Sequence, residues 1–282
     1  MAITEKDLVY SRLPVPTWRW LGVNEVRVHA ELMADSPAQK LVTIPSGEER
    51  ELVIVYREEG AAALQVEVGA NATLHLTQVR LAKENARYVH GIKARLAENA
   101  RLVCTLVETG GASAVSALEV DLSGDGGTVD VAALCFADGE QTLDMNYIIR
   151  QQAKNTKAEL SVHGALAGRA RKIFRGTLDF ARGATGSVGR EREDVTVLSP
   201  DVVNRSAPLM LSGEAEVDGR HAASIGKIDE AKLFYLMSRG LSAPEAKRLV
   251  TLAAVQPVLD RVKDEALADE VRSYIEGRLS DD

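Results

Sequence analysis

The sequence has few of the features that mark secreted, membrane-spanning or nucleic-acid-binding proteins. Its 282 residues include only two cysteines, too few for a disulfide framework, which favours a reducing compartment. Aromatic residues make up 4%, so no stacking platform for bases is expected and the core must rely on aliphatic side chains. No apolar run of about 18 residues occurs and no secretion signal is visible, so we expect a cytoplasmic protein without a membrane anchor.

Basic residues are also in the minority. The 34 Lys and Arg residues against 41 Asp and Glu residues give a net charge of −7. Nucleic acid and anionic lipid surfaces would both repel such a chain, so neither is expected as a partner. The hydrophobic content of 45% is that of an ordinary globular protein and argues against extended disorder.

A repeated unit runs through the middle of the chain: an alternating strand, a tight polar turn and another alternating strand. The residues that end the successive turns are Ala72, Ala100, Gly127, Thr156, Ala184 and Ala215, at steps of 28, 27, 29, 28 and 31 residues. A near-constant step of this length predicts a solenoid, and period-2 alternation predicts strands with one buried face. We therefore predict a mainly β protein, a parallel β-helix over residues 51–228, preceded by an irregular cap over residues 1–50.

The pattern changes after Ile228, and residues 229–282 are predicted to form a C-terminal α-helical subdomain. Asp229 is a candidate N-cap for a first helix that Gly240 ends. The segment Ser242-Ala-Pro-Glu245 has the pattern of a capping box, which predicts the start of a second helix. Pro257 is expected to kink or split that helix.

Most catalytic motifs are absent. The chain has no phosphate-binding loop of the ATPase type and no zinc-ligand spacing among its histidines, so it should neither hydrolyse ATP nor hold zinc by itself. His75 and His163 lie within alternating strands, where structural or surface roles are expected. Cys104 and Cys135 lie in apolar strands, and two readings stay open: small buried hydrophobic residues, or thiolates that carry sulfur or bind iron.

One stretch resembles a known family. It contains His221-Ala-Ala-Ser-Ile-Gly226-Lys-Ile-Asp229 and then Leu233-Phe-Tyr-Leu-Met-Ser-Arg-Gly240. This string is similar to the C-terminal signature of the SufB/SufD family, the scaffold proteins of the SUF system of iron–sulfur cluster assembly. Trp18-Arg-Trp20 resembles an N-terminal segment of the family less specifically.

The resemblance implies a fold, two partners and a site. The fold would be a right-handed parallel β-helix followed by helices, acting as a non-catalytic scaffold. A SufC-type ATPase would bind the helical region at about residues 229–263. A second SufB/SufD-type chain, identical or different, would pair through the last strands at about residues 209–225. A transient iron–sulfur cluster would form at that pairing interface, with His221 as a cluster ligand or as a proton acceptor.

The chain departs from the family pattern at positions that bear on cluster binding. Gly219 stands where SufD proteins often have cysteine, and Ala222 stands where SufB proteins often have glutamate. No cysteine follows Cys135, so the chain resembles SufD or a compact member of a minimal system. The candidate metal ligands in this chain are His221, Cys104 and Cys135, and the cluster ligands are expected either from a partner chain or, if they are exposed, from Cys104 and Cys135. The alternatives are a structural β-helix dimer without a cluster role and a carbohydrate-active β-helix enzyme.

Overall fold

The alternating segments of the sequence form sixteen β-strands in a computed structural model that describes residues 7–34 and 40–279. The strands are β1 Asp7–Arg12, β2 Glu25–His29, β3 Lys40–Ile44, β4 Glu49–Tyr56, β5 Gly60–Val68, β6 Thr73–Ala82, β7 Arg87–Leu96, β8 Arg101–Gly110, β9 Ser113–Leu122, β10 Thr128–Ala137, β11 Thr142–Gln151, β12 Lys157–Leu166, β13 Arg171–Phe180, β14 Val188–Val197, β15 Val203–Ser212 and β16 Asp218–Lys227. The helices are α1 Ala30–Ala34, α2 Glu230–Ser238, α3 Ala243–Leu259 and α4 Glu265–Leu279.

The strands after β2 build two parallel sheets. The even-numbered strands β4 to β16 form one seven-stranded sheet, and the odd-numbered strands β3 to β15 form the other. Each strand pairs with the strand one coil earlier and one coil later: Thr128 lies opposite Arg101 on one side and Lys157 on the other. The prediction of a β-solenoid with C-terminal helices is therefore confirmed. Its first strands begin at Lys40 and Glu49, ahead of the suggested boundary at residue 51.

The sequence repeat located some coils better than others. The first four turn markers come immediately before an even-numbered strand, but β14 starts at Val188, four residues after Ala184, and β16 starts at Asp218, three residues after Ala215. The turn before β14, residues 181–187, has seven residues where the earlier ones have four or five, whereas the turn before β16, residues 213–217, has five and the expected turn end at Ala215 falls inside it. The strands are also longer than their alternating segments, because the second half of strands such as β8 and β10 is buried on both faces and so loses the alternation.

One turn of most coils contains a left-handed backbone residue at the same position. Asn71, Asn99 and Asn155 have φ angles of 58°, 52° and 55°, and Gly126 and Gly186 take the same position in the other coils. Each of these residues donates its backbone N–H to a carbonyl in the turn of the next coil. Asn and Gly tolerate this conformation best, which explains why they recur at about the repeat length.

The outer faces of the two sheets are covered differently. On the even-numbered sheet, Phe136 packs in one cluster with Val255 of α3 and Ile275 of α4. On the odd-numbered sheet, the N-terminal segment packs against β15 through Leu13 and Val23. The described N-terminal segment and the C-terminal helices therefore bury opposite faces of the solenoid, and within residues 7–34 and 40–279 no strand pairs with the outer edge of β15 or β16.

The helix boundaries follow the capping residues in the sequence. The Asp229 carboxylate accepts a hydrogen bond from the backbone N–H of Ala231, and Ser242 and Glu245 form the capping box at the start of α3. The helix α3 runs unbroken through Pro257, so the expected split does not occur. Pro257 lies in the last turn, where it removes one backbone hydrogen bond from a segment whose buried face is packed on the sheet.

Candidate functional site

His221 lies on the open edge of the solenoid. Its strand β16 pairs only with β14 among the described strands, and every residue from Arg220 to Lys227 is exposed. His221 lies directly opposite Glu191 of β14 in the parallel register. The structure thus presents an imidazole and an unpaired strand edge together at one end of the molecule.

Beneath His221 the solenoid interior is acidic. Glu191 is 5% exposed, and burial, followed by repulsion from Glu193, raises the pKa of its carboxyl to about 8. A side chain at Gly176 would collide with this carboxyl, since a Cβ there would lie 2.1 Å from Glu191 Oε1. Glu191 therefore carries a proton at neutral pH, in a space that Gly176 leaves open.

The second carboxylate of this interior is paired. Glu193 forms an ion pair with Lys172, and both side chains are almost fully buried. Ser206 donates its hydroxyl to Glu193 Oε1 at 2.9 Å, and Lys172 also donates to Asn204 Oδ1 at 3.2 Å. Three consecutive strands, β13, β14 and β15, thereby hold a charged group that would be unfavourable if left unpaired.

The structure does not bring the two cysteines to His221. Both thiols are fully buried, and burial raises the pKa of Cys104 to about 12 and that of Cys135 to about 11, so both are neutral. Cys104 lies in the same inward-facing row as His221 but four strands earlier, a separation of roughly 19 Å at ~4.8 Å per strand. Within residues 7–34 and 40–279, no group of three or more Cys, His, Asp or Glu residues is arranged to hold a metal ion.

The two histidines expected in structural or surface roles each lie beside a carboxylate. His75 Nε2 is 3.1 Å from Glu49 Oε1. His163 Nδ1 is 3.9 Å from Asp194 Oδ2, and burial lowers the pKa of His163. Neither histidine joins the open edge around His221.

The sequence analysis did not predict a buried ionic network inside the solenoid. Arg80 donates from Nε to Glu108 Oε2 at 3.2 Å, and His90 Nε2 lies 2.9 Å from Glu108 Oε1. Burial by itself would raise the pKa of Glu108, but electrostatic attraction and a hydrogen bond from His90, together with attraction to Arg80, outweigh it and lower the pKa to about 2. The sequence did contain an indication of this network. Gln78 and Arg80 alternate in step with the inward-facing residues Leu74 and Leu76 of β6, which predicts polar side chains inside the solenoid.

The helix α2 exposes apolar side chains instead of burying them. Phe234 is 75% exposed and Tyr235 is 57% exposed, and α2 has no buried residue. Between α2, α3 and the last even-numbered strands lies a cleft of about 480 Å³ whose lining includes His163, Lys232 and Val250. In the part of the chain that the structure describes, no helix is both long enough and apolar enough to cross a bilayer.

The fold and site together define a parallel β-solenoid protein with an open terminal strand and an exposed apolar helix. The family model described as SUF system FeS cluster assembly, SufBD core domain, matches residues 33–254. This chain therefore belongs to the SufB/SufD family of iron–sulfur cluster assembly proteins, as its C-terminal motif indicated.

Individual relatives support the same assignment. The chain is 31% identical over 165 residues to the iron-sulfur cluster assembly protein SufD of Bacillus subtilis, a match covering 58% of this chain and 38% of that protein. It is 28% identical over 239 residues to an iron-sulfur cluster assembly SufBD family protein of Mycobacterium leprae, covering 81% of this chain and 61% of that protein. The chain thus spans between about two fifths and three fifths of the length of these relatives.

Proposed function

We propose that this chain is a non-catalytic scaffold or accessory subunit of iron–sulfur cluster assembly that works in the cytoplasm with a SufC-type ATPase. The observation that carries the proposal is the exposed His221 on a terminal strand whose outer edge has no partner among the described residues. An unpaired strand ten residues long is a ready template for a partner strand.

The partner at this edge is a second SufB/SufD-type chain. Residues 209–225 cover the end of β15 and most of β16, the last strand of each sheet. A second solenoid docked there would continue the backbone hydrogen bonding and would bury His221 and the exposed Ile225. His221 would then lie at the boundary between the two chains.

The cluster is cargo at this boundary and is not a resident cofactor of the chain. His221 is the accessible one of the three candidate ligands, since Cys104 and Cys135 are buried, neutral thiols. Iron–sulfur clusters are held mainly by thiolates, with histidine as a less frequent ligand. The partner chain would therefore supply the remaining ligands, and His221 would contribute one ligand or accept a proton there.

The ATPase docks on the C-terminal helical region, residues 229–263. The exposed aromatic side chains of α2, Phe234 and Tyr235, form the apolar part of that surface. The neighbouring helices α3 and α4 are packed on the even-numbered sheet, so a force on this region reaches the solenoid directly. ATP-driven association of two such ATPases would shift the paired strands at His221, with free energy from the difference in binding between nucleotide states.

Anaerobic reconstitution with iron and sulfide tests the cluster role. The chain is mixed with its partner chain and the ATPase, and visible absorption is followed in the wild type, His221→Ala and His75→Ala. We expect the cluster band to fall at least about tenfold in His221→Ala, while the control His75→Ala, which changes a histidine on a different strand, keeps it. Equal bands in all three proteins would reject a role for His221.

Docking is tested in the full-length chain. Replacing Phe234 and Tyr235 by Ala leaves the packing of α3 and α4 untouched because neither side chain is buried. We expect the double variant to bind the ATPase about 100-fold more weakly in calorimetry, since exposed aromatic anchors dominate many interfaces. Unchanged affinity would place the ATPase elsewhere.

A further inference from the structure

The two tryptophans of the sequence are both exposed on one turn. Trp18 is 73% exposed and Trp20 is 78% exposed, and the sequence contains no other tryptophan. They flank the start of the 3₁₀ turn Arg19–Leu21. Large aromatic side chains with this exposure are unusual on a monomer surface and are enriched where partners bind.

The turn is held in one conformation. The backbone N–H of Leu21 donates to the carbonyl of Trp18 at 3.0 Å, and Gly22 closes the turn with a left-handed φ of 66°. The side chain of Asn24 bridges the turn: Oδ1 accepts from Thr17 Oγ1 at 2.9 Å, and Nδ2 donates to the Thr17 carbonyl at 3.0 Å. A preorganised turn loses little conformational entropy when it binds.

The turn is anchored on the last strand of the odd-numbered sheet. Arg205 of β15 donates from Nη1 to the carbonyl of Leu21 at 2.9 Å. Leu13 and Val23, both 3% exposed, pack against Ala207 of the same strand. The turn that carries the two tryptophans is therefore packed on the last coil, at the open end of the solenoid.

We propose that Trp18 and Trp20 form a tryptophan platform that contacts a second copy of this chain joined at the open end. This inference rests on the pairing of the last strands given as the proposed function and adds a surface to it. A partner strand that extends the β15 and β16 edges lies next to the coil on which the platform stands, so the interface continues from one to the other.

The unpaired edge of β16 indicates that the partner is a second copy of this chain. An unpaired strand edge requires a partner that offers backbone donors and acceptors, and a second copy offers the same ten-residue edge of β16. The edge strand carries both signs of charge, with Asp218, Arg220 and Lys227, so no single-sign field repels a copy. Exposed Ile225 on the same strand adds apolar area that pairing would remove from water.

Intrinsic fluorescence reports on this surface alone, because the platform holds the only tryptophans of the sequence. We expect the emission of the full-length chain to shift to the blue, and acrylamide quenching to fall, as the concentration rises through dimerisation measured by sedimentation. The double variant Trp18→Ala/Trp20→Ala should raise the dimer Kd by at least about 30-fold. Leu41→Ala changes an exposed apolar residue on β3, at the opposite end of the sheet from β15, and is the matched control that should leave the Kd unchanged.

A second variant separates the platform from the pairing on which it rests. Ile225→Lys places a charge at the strand edge and should abolish the dimer without unfolding the chain, which circular dichroism checks. If the tryptophan variant dimerises like the wild type while Ile225→Lys does not, the platform is refuted and the pairing stands. If the wild-type chain stays monomeric at high concentration, the second copy is rejected, and a blue shift on adding the ATPase or anionic vesicles instead identifies another occupant.

Discussion

Replacing Glu108 by Gln should destabilise the solenoid strongly at neutral pH. Glu108 is 1% exposed and lies between Arg80 and His90 inside the coils. Each pKa unit corresponds to about 1.4 kcal/mol, so lowering the pKa of Glu108 from 4.5 to about 2 stabilises the folded state by about 3 kcal/mol. Removing one member of a buried ion pair typically lowers the free energy of unfolding by a similar amount, about 3–5 kcal/mol.

The sign of the pH dependence follows from the lowered pKa. Above pH 4.5 the carboxylate is ionised in both states and its stabilisation is fully present; as the pH falls toward 2 the unfolded chain takes up the proton first and the stabilisation is lost. Urea unfolding should therefore show that the difference in the free energy of unfolding between the wild type and Glu108→Gln is about 2 kcal/mol smaller at pH 3 than at pH 7.

The matched control is Glu119→Gln. Glu119 pairs with Arg150 at 3.2 Å, but about a third of its side chain is exposed, so its loss should cost less than about 1 kcal/mol. The reasoning is refuted if Glu108→Gln unfolds within about 1 kcal/mol of the wild type at pH 7 and the difference does not change with pH.

Two further predictions concern the interior. Burial and then repulsion from Glu193 raise the pKa of Glu191 to about 8, so the stabilisation of the folded wild type by the protonated carboxyl is present below pH 4.5 and lost as the pH rises through 8. In thermal unfolding at pH 5 and pH 9, the stability of Glu191→Gln relative to the wild type should therefore rise by about 4 kcal/mol. A difference that stays constant with pH would contradict this. Cys104 and Cys135 should resist alkylation in the folded chain and react after unfolding in guanidinium, as intact mass would show, because burial keeps both thiols neutral; rapid labelling of the folded chain would show that they are accessible.

The fold could be predicted because its repeated feature is local. A left-handed residue such as Asn71 or Asn99 recurs in most coils, and the strands on each side alternate by simple side-chain geometry. The same holds for the helix starts at Asp229 and Ser242, where a capping side chain bonds a neighbouring backbone group. The later coils were misplaced because turns of variable length shift the strands without changing their pattern.

The family and His221 were also within reach of the sequence, because the motif from His221 to Gly240 is continuous in the chain. The resemblance also placed His221 in the last strands, at about residues 209–225, and the structure adds that this strand pairs only with β14 among the described strands and is exposed from Arg220 to Lys227. The exposure of Trp18 and Trp20 could not be read from the sequence, because whether an aromatic residue in an irregular segment is buried or exposed depends on what packs beside it.

The amino-acid sequence by itself thus determined the parallel solenoid, the C-terminal helices and the family, since these arise from period-2 alternation, turn chemistry and one contiguous motif. Only the tertiary structure decided which inward-facing residues meet: Glu108 with Arg80, Glu191 against Gly176, and Cys104 far from His221. The physical reason is that contacts between coils join residues about 28 positions apart. Lengthening or shortening one turn by a single residue therefore changes which residues face each other across the strands that follow.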